Sequence, residues 1–171
     1  SLGAKVLHPR AVECAKENDV VLHVRSSFDT VEGTRVKEAK HMEVNRVVTG
    51  VTMKDNEAIV SIIGVQDRPG IAGKLFSTLS DVGINVDMII QSTDEEQLNN
   101  ITFTVIKDDL KEAVAITQGV ADDIGAERVD SDEDVCKVSI VGVGMISKPG
   151  VAAKMFEVLG EQNINIKLIS T

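Results

Sequence analysis

Val60-Ser61-Ile62-Ile63-Gly64-Val65 and Pro69-Gly70-Ile71-Ala72-Gly73-Lys74-Leu75-Phe76 return later as Val138-Ser139-Ile140-Val141-Gly142-Val143 and Pro149-Gly150-Val151-Ala152-Ala153-Lys154-Met155-Phe156. A third block, Gly83-Ile84-Asn85-Val86-Asp87-Met88-Ile89-Ile90, returns as Asn163-Ile164-Asn165-Ile166-Lys167-Leu168-Ile169-Ser170. The offset grows from 78 to 80 residues between the first block and the second, so the loop between them is longer in the second copy. Three blocks in the same order identify two related modules. The first block is a β-branched run, as in a buried strand. In the second, Ile71, Ala72, Leu75, Phe76, Leu79 and Val82 recur at helical spacing, closed by Gly83. The third alternates at its start, as a strand does.

Outward from these blocks, Val47, Val48 and Val51 predict a strand that turns at Lys54-Asp55-Asn56 into a strand over 58–65. After the third block, a polar tip at Asp94-Glu95-Glu96 leads into Ile101, Phe103 and Val105, alternating with threonines. A helix over 109–124 carries Leu110, Ala113, Val114, Ala121 and Ile124 on one face and ends at Gly125. A short strand over 126–129 completes the set. The order is βαββαβ, an α+β, ferredoxin-like unit with two helices on one face of a four-stranded antiparallel sheet. The second copy stops after strand, helix, strand. Its two strands make a marginal sheet alone, and the 46–53 strand is placed to complete it by pairing at the edge.

Composition narrows the function. Eighteen basic residues against 27 acidic ones give a net charge of -9, which disfavours nucleic acid or an anionic membrane as main partner. Four Phe and no Trp or Tyr provide little on which to stack bases. Cys14 and Cys136 form no metal-ligand pattern, and unpaired cysteines fit a reducing, cytoplasmic compartment. No apolar run reaches the roughly 20 residues of a membrane span. His23 lacks partners at ligand spacing, so packing or solvent explains it. Asp130 to Asp134 reads as a solvated turn, because a calcium loop needs a longer pattern and a glycine bend.

The chain opens and closes inside apolar, strand-like runs and reads as a piece of something longer. Residues 1–28 read as strand, short helix, strand, with Pro9 in the first helical turn and Asn18-Asp19 as the stop. Residues 29–45 are a charged connector. Residues 46–56 hold the strand that completes the second module, 57–130 form the first module, and 131–171 the second, truncated one.

Val-Ser-Ile-Ile-Gly-Val, Asp67-Arg68-Pro69-Gly70-Ile71-Ala72 and the run from Ile84 to Gln91 resemble the ACT domain, an amino-acid-sensing ferredoxin-like module. The doubled arrangement resembles the regulatory region of the aspartate kinase family. Gly142 to Ala152 and Asn163 to Thr171 fall where its second ACT module would lie. Gly3 to Arg10, Val24 to Phe28 and Glu32 to Val36 resemble the last elements of its kinase domain. The resemblance covers essentially the whole chain. It implies that the intact enzyme, with ATP and Mg, phosphorylates the side-chain carboxylate of aspartate, and that end products inhibit through the ACT modules. Most of the kinase domain is missing here. Gly70 to Gly73 with Lys74 lacks the spacing of a phosphate loop, so this stretch is expected to hold no cofactor and to be inactive alone.

A free amino acid offers a carboxylate, an ammonium and a side chain. The carboxylate suits a helix N-terminus, where backbone N–H groups are unpaired and the dipole is positive. Arg68, Gly70, Ile71 and Ala72 form such an end, although Pro-Gly as a plain helix-start signal also explains them. Asp67, aligned with Ser147, either caps the helix or pairs with an effector ammonium or hydroxyl. Asn85 and Gln91 share a strand face with Asp87, opposite Ile84, Val86, Met88 and Ile90. Their amides suit a zwitterion, and an outward polar edge strand is the plainer explanation. The second module supplies Met145, Gly150, Val151, Ala152, Asn163, Asn165 and Ile166. Gln91 becomes Thr171 and Asp87 becomes Lys167, so the two sites differ in charge. For Lys5 the resemblance implies a place near nucleotide phosphate in the intact enzyme.

The resemblance therefore implies a regulatory region that binds threonine, lysine or both where ACT modules meet, works as a homodimer, and controls a kinase domain or subunit. The alternatives are a stand-alone ACT sensor, which residues 1–28 contradict, and an enzyme such as a small phosphohydrolase, which the fold alone does not license.

Overall fold

The computed structural model describes residues 6–37, 47–95, 97–142, 145 and 148–171. Lys5 and Ser147 lie outside the described residues. The chain divides into two compact units, one of residues 1–52 with 138–165 and the other of 53–137 with 166–171.

Strands β3 (Gly50–Gln66), β4 (Ile89–Thr93), β5 (Leu98–Val105) and β6 (Arg128–Val141) form one sheet in the order β4-β5-β3-β6, of which residues 53–137 belong to the second unit. That order, with helices α2 (Ile71–Asp81) and α3 (Leu110–Ile124) between strands, is the ferredoxin-like arrangement expected. The ladders of β3 with β5 and of β4 with β5 are antiparallel. Ala58, Val60 and Ile62 of β3 and Ile101, Phe103 and Val105 of β5 meet Leu75 and Leu79 of α2 and Ala113, Val120 and Ala121 of α3 in one buried cluster. Phe76 stands edge-on to Phe103, ring centroids 5.6 Å apart at 81°. Alternation along β3 therefore sends Glu57, Ile59 and Ser61 to the face turned away from the helices.

Two polar stretches differ from expectation. Lys54-Asp55-Asn56 is not a turn but lies within the 17-residue β3. Asp130 to Asp134 is not a turn either, and neither a separate short strand at 126–129 nor a break precedes the second repeat: β6 runs unbroken for 14 residues. Neither stretch contains Gly or Pro, and ladder hydrogen bonds do not require apolar side chains, so the polar runs pass through the sheet.

In the first unit, α1 (Pro9–Glu17) begins with Pro9 in its first turn, and the Arg10 N–H donates to His8 Nδ1 at 3.3 Å. Strand β1 (Leu22–Val24) pairs antiparallel with β2 (Thr34–Val36), so the connector read over 29–45 contains a strand. His23 of β1 lies 2.6 Å from the carbonyl of Glu32 through Nε2, a structural contact with the segment that leads into β2. The Thr49 N–H and hydroxyl both donate to the Val141 carbonyl, at 2.7 and 3.1 Å. Helix α4 (Val151–Glu161) repeats α2. Among the described residues no ladder includes 164–171, so the strand expected there does not form; it finds no sheet partner among them.

Candidate functional site

The two repeats start their helices in the same way. Gly70 has φ 94° and ψ -12°, and Gly150 has φ 95° and ψ -6°, backbone values that only glycine adopts without strain. With Pro69 and Pro149 one position earlier, these are the residues a type II turn requires. Neither helix has a side-chain cap on its first N–H groups. A Cβ built on either glycine would meet nothing within 4 Å among the described residues, which leaves room beside each turn.

Beside the α2 end, Asp67 is exposed but not loose. Its Oδ1 accepts from Asn99 Nδ2 at 2.9 Å, and Asn99 Oδ1 accepts from the Thr93 hydroxyl at 2.8 Å. Asn99 is only 4% exposed and occupies the core-facing register of Ile101, Phe103 and Val105. A buried amide there makes sense because both of its ends are satisfied. It fixes the Asp67 carboxylate next to the uncapped helix. Reading 67 and 91 as the site residues missed Asn99 and Thr93. The signal was present: an asparagine two residues before Ile101, in phase with an apolar alternation.

The other proposed residues are placed unequally. Arg68 and Gly70 are exposed at the turn, while Ile71 and Ala72 are half-buried and pack on the core. Ile84 is 6% exposed, belongs to the core, and donates its N–H to the Leu79 carbonyl. Val86 packs beside it, and Asn85 is exposed between them. Segment 84–88 is not strand by itself, but the Asp87 N–H donates to Thr104 O at 3.1 Å and Thr104 N–H to Met88 O at 3.0 Å, so it continues the β4–β5 pairing. Gln91 is exposed on β4, opposite Ile101, two residues before Thr93. Asn85 lies six residues earlier, about 20 Å along an extended strand. One chain therefore gathers Asp67, Asn99 and Thr93 at the helix start, with Gln91 nearby, and leaves Asn85 at the opposite end of the sheet.

In the second repeat, Val151 and Met145 are half-buried, while Ala152, Asn163 and Asn165 are exposed and Ile166 is half-buried. Asn163 has φ 54° and closes α4 as Gly83, at φ 85°, closes α2. Helix termination accounts for its asparagine, a residue type that tolerates the left-handed region. Among the described residues no group of three or more His, Cys, Asp or Glu side chains is arranged to hold a metal ion, and no helix is long and apolar enough to cross a membrane.

Ion pairs at equivalent positions relate the repeats. Asp87 Oδ2 accepts from Lys137 Nζ of β6 at 2.7 Å and from Lys54 Nζ at 3.4 Å. The Lys137 hydrogen bond is the main cause holding the Asp87 carboxyl below the usual aspartate range. At the equivalent position Lys167 donates to Asp132 of β6, so the signs are exchanged. Asp132 is likewise held below the usual range, first by Lys167 and then by the Asp134 backbone N–H.

Comparison with known proteins agrees with this architecture. ACT-domain families match residues 58–121 and 138–171. An aspartokinase of Thermus thermophilus is 47% identical over 173 residues, which take in 100% of this chain and 42% of that protein. The chain thus spans less than half the length of such curated relatives. The regulatory subunit of aspartate kinase from Thermus thermophilus, solved free of ligand, is 42% identical with a TM-score of 0.68, over 74% of this chain and 83% of that one. E. coli aspartokinase III, solved with lysine and aspartate in its T-state, is 26% identical with a TM-score of 0.70, over 99% of this chain and 37% of that one. Matched to a regulatory subunit along most of that subunit's length, and carrying two ACT matches, the chain belongs to the aspartokinase family as its regulatory ACT-domain part.

Proposed function

We propose that this chain senses threonine, lysine or both, and that the bound amino acid feeds back on aspartate phosphorylation by a kinase domain or subunit in lysine, threonine and methionine biosynthesis. The observation that carries the reading is the open N-terminus of α2 with Asp67 fixed beside it by Asn99. The helix end suits the α-carboxylate, and Asp67 suits the ammonium or a hydroxyl. The uncapped Gly150 end of α4 offers a second carboxylate position. E. coli aspartokinase III was solved with lysine, which supports an amino-acid effector in this family.

Asn85 stands too far from Asp67 for one chain to use both on one small ligand. A site that includes Asn85 draws on a second protomer, which is why we assign a homodimer with two-fold, isologous contacts through the ACT modules. The effector acts by favouring one arrangement of those modules. The chain alone is assigned no catalysis and no cofactor; ATP and Mg belong to the intact enzyme. A cytoplasmic setting belongs to the same reading.

Calorimetric titration of the purified chain with threonine and then lysine tests this directly. Saturable heat from one or both, reduced in Asp67→Ala and Gln91→Ala variants that keep their stability, is expected. Heat from neither, with a folded dimer confirmed, defeats the sensing claim.

A further inference from the structure

Thr93 is exposed on the edge strand β4, yet its hydroxyl turns inward and lies 2.8 Å from Asn99 Oδ1. Thr93 and Asn99 are direct partners in the β4–β5 ladder. Asn99 in turn donates from Nδ2 to Asp67 Oδ1 at 2.9 Å, from a position only 4% exposed. The direction of this chain is forced. A carboxylate only accepts, so the amide nitrogen faces Asp67 and the amide oxygen faces Thr93. The Thr93 hydroxyl has a single hydrogen, and Asn99 takes it. Ser61 and Thr102, whose hydroxyl oxygens are 2.9 Å apart, show the contrast: with no carboxylate in the pair, either one can be the donor.

We propose that Thr93 is a positioning residue for the effector, acting on Asp67 through the Asn99 amide without touching the ligand. This role rests on the α2 reading of the effector site. Strand propensity explains a threonine at position 93 but not the inward turn of its hydroxyl. The terminal torsion of an asparagine is broad and has little preference of its own, so the hydrogen bonds at the two ends of the Asn99 amide are what hold it. Without the Thr93 hydroxyl, the amide oxygen is buried with its donor gone, which costs more than the bond itself contributed. The amide then turns to find another donor, and the same turn takes Nδ2 from Asp67. A carboxylate no longer held in one place has to be ordered again by each incoming ligand, and affinity falls.

Thr93→Val keeps the β-branched shape and deletes the hydroxyl, while Thr93→Ser keeps the hydroxyl. Calorimetric titration of the full chain with threonine and with lysine is expected to show affinity about three- to tenfold lower in Thr93→Val, and within about twofold of the unchanged chain in Thr93→Ser. The Asn99 side-chain amide signals, followed by ¹⁵N NMR without ligand, should move in Thr93→Val and hold in Thr93→Ser. Undiminished affinity in Thr93→Val, or the same loss in both variants, overturns the proposal. If neither amino acid binds the unchanged chain, the α2 reading fails and the NMR signals decide alone. Asn99 signals that stay put in Thr93→Val then overturn the role given to Thr93, and signals that move there but hold in Thr93→Ser leave it standing as the residue that places Asp67.

Discussion

Lys137 of β6 reaches Asp87, the residue that leads into β4, through a 2.7 Å hydrogen bond, and the same carboxylate oxygen also faces Lys54. Because the folded state holds this carboxyl below its unfolded value, the unfolded chain binds more protons in acid. The stabilisation is complete above the unfolded aspartate value and is lost as pH falls through the lower folded one. Asp87 is 44% exposed, so solvent screens the effect and its size is small. Replacing Lys137 by Met should flatten the acid limb of a plot of urea midpoint against pH and leave its neutral slope alone. An unchanged acid limb would show that the pair contributes nothing to folding.

Glu57 presents the opposite case, a carboxylate whose side chain is 5% exposed on the helix-free face of β3. Its Oε1 lies 3.6 Å from Lys54 Nζ, and its Oε2 has no hydrogen-bond partner among the described residues. Such a group is costly to hold, and removing the Lys54 ammonium it faces is worse than removing the carboxylate itself. Lys54→Met should therefore lower stability by about 1–3 kcal/mol, while Glu57→Leu is neutral or stabilising. Urea denaturation of the two variants checks the order, and a larger loss in Glu57→Leu refutes it.

Asn99 ties Asp67 to Thr93 from a buried position. Asn99→Leu removes both bonds, leaves the Thr93 hydroxyl without its acceptor, and frees Asp67. A loss of about 1–3 kcal/mol is expected. Any effector that uses Asp67 should also bind less tightly. Titration of the variant at a temperature where it remains folded separates the two consequences: undiminished affinity would mean that the position of Asp67 is irrelevant to the ligand.

The β3–β5 register breaks between Ile62 and Val65, and Gly64 sits in the irregularity at φ 71°. Its N–H donates to Asn100 Oδ1 at 3.1 Å, and a Cβ there would run into the Glu127 side chain. Both the backbone angle and the contact resist a side chain. Gly64→Ala is expected to cost about 1–3 kcal/mol, and Glu127→Ala in the same chain should recover only the part of the clash that the Glu127 Cγ and Cδ cause. Thermal melts of the single and double variants read the difference. Full recovery would mean that φ at position 64 carries no strain.

Much of this architecture could be read from the chain. Spacing placed α2 and α3 to within a residue or two, and the repeat placed α4, because an apolar stripe and a following Gly or Asn reflect packing and the helix stop directly. The polar lengths of β3 and β6 were not legible. Lys54 to Asn56 and Asp130 to Asp134 are held by backbone pairing, to which side-chain polarity is nearly indifferent, and only their lack of Gly and Pro hinted at continuity. The final strand motif failed in the other direction: an apolar alternation from Ile164 onward cannot make a strand without a partner. At the site, the helix end and Asp67 were visible as local chemistry. Asn99, Thr93 and the Ser61–Thr102 pair depend on contacts between strands, which no local spacing reports.

The unbroken β6 makes the two homologous stretches poor cassettes. Cutting after residue 134, inside that strand, would take Lys137 from Asp87 and Asp132 from Lys167 in a single stroke. Gene shuffling that trades one copy for a relative's must carry this shared ribbon whole, or both clasps are orphaned together.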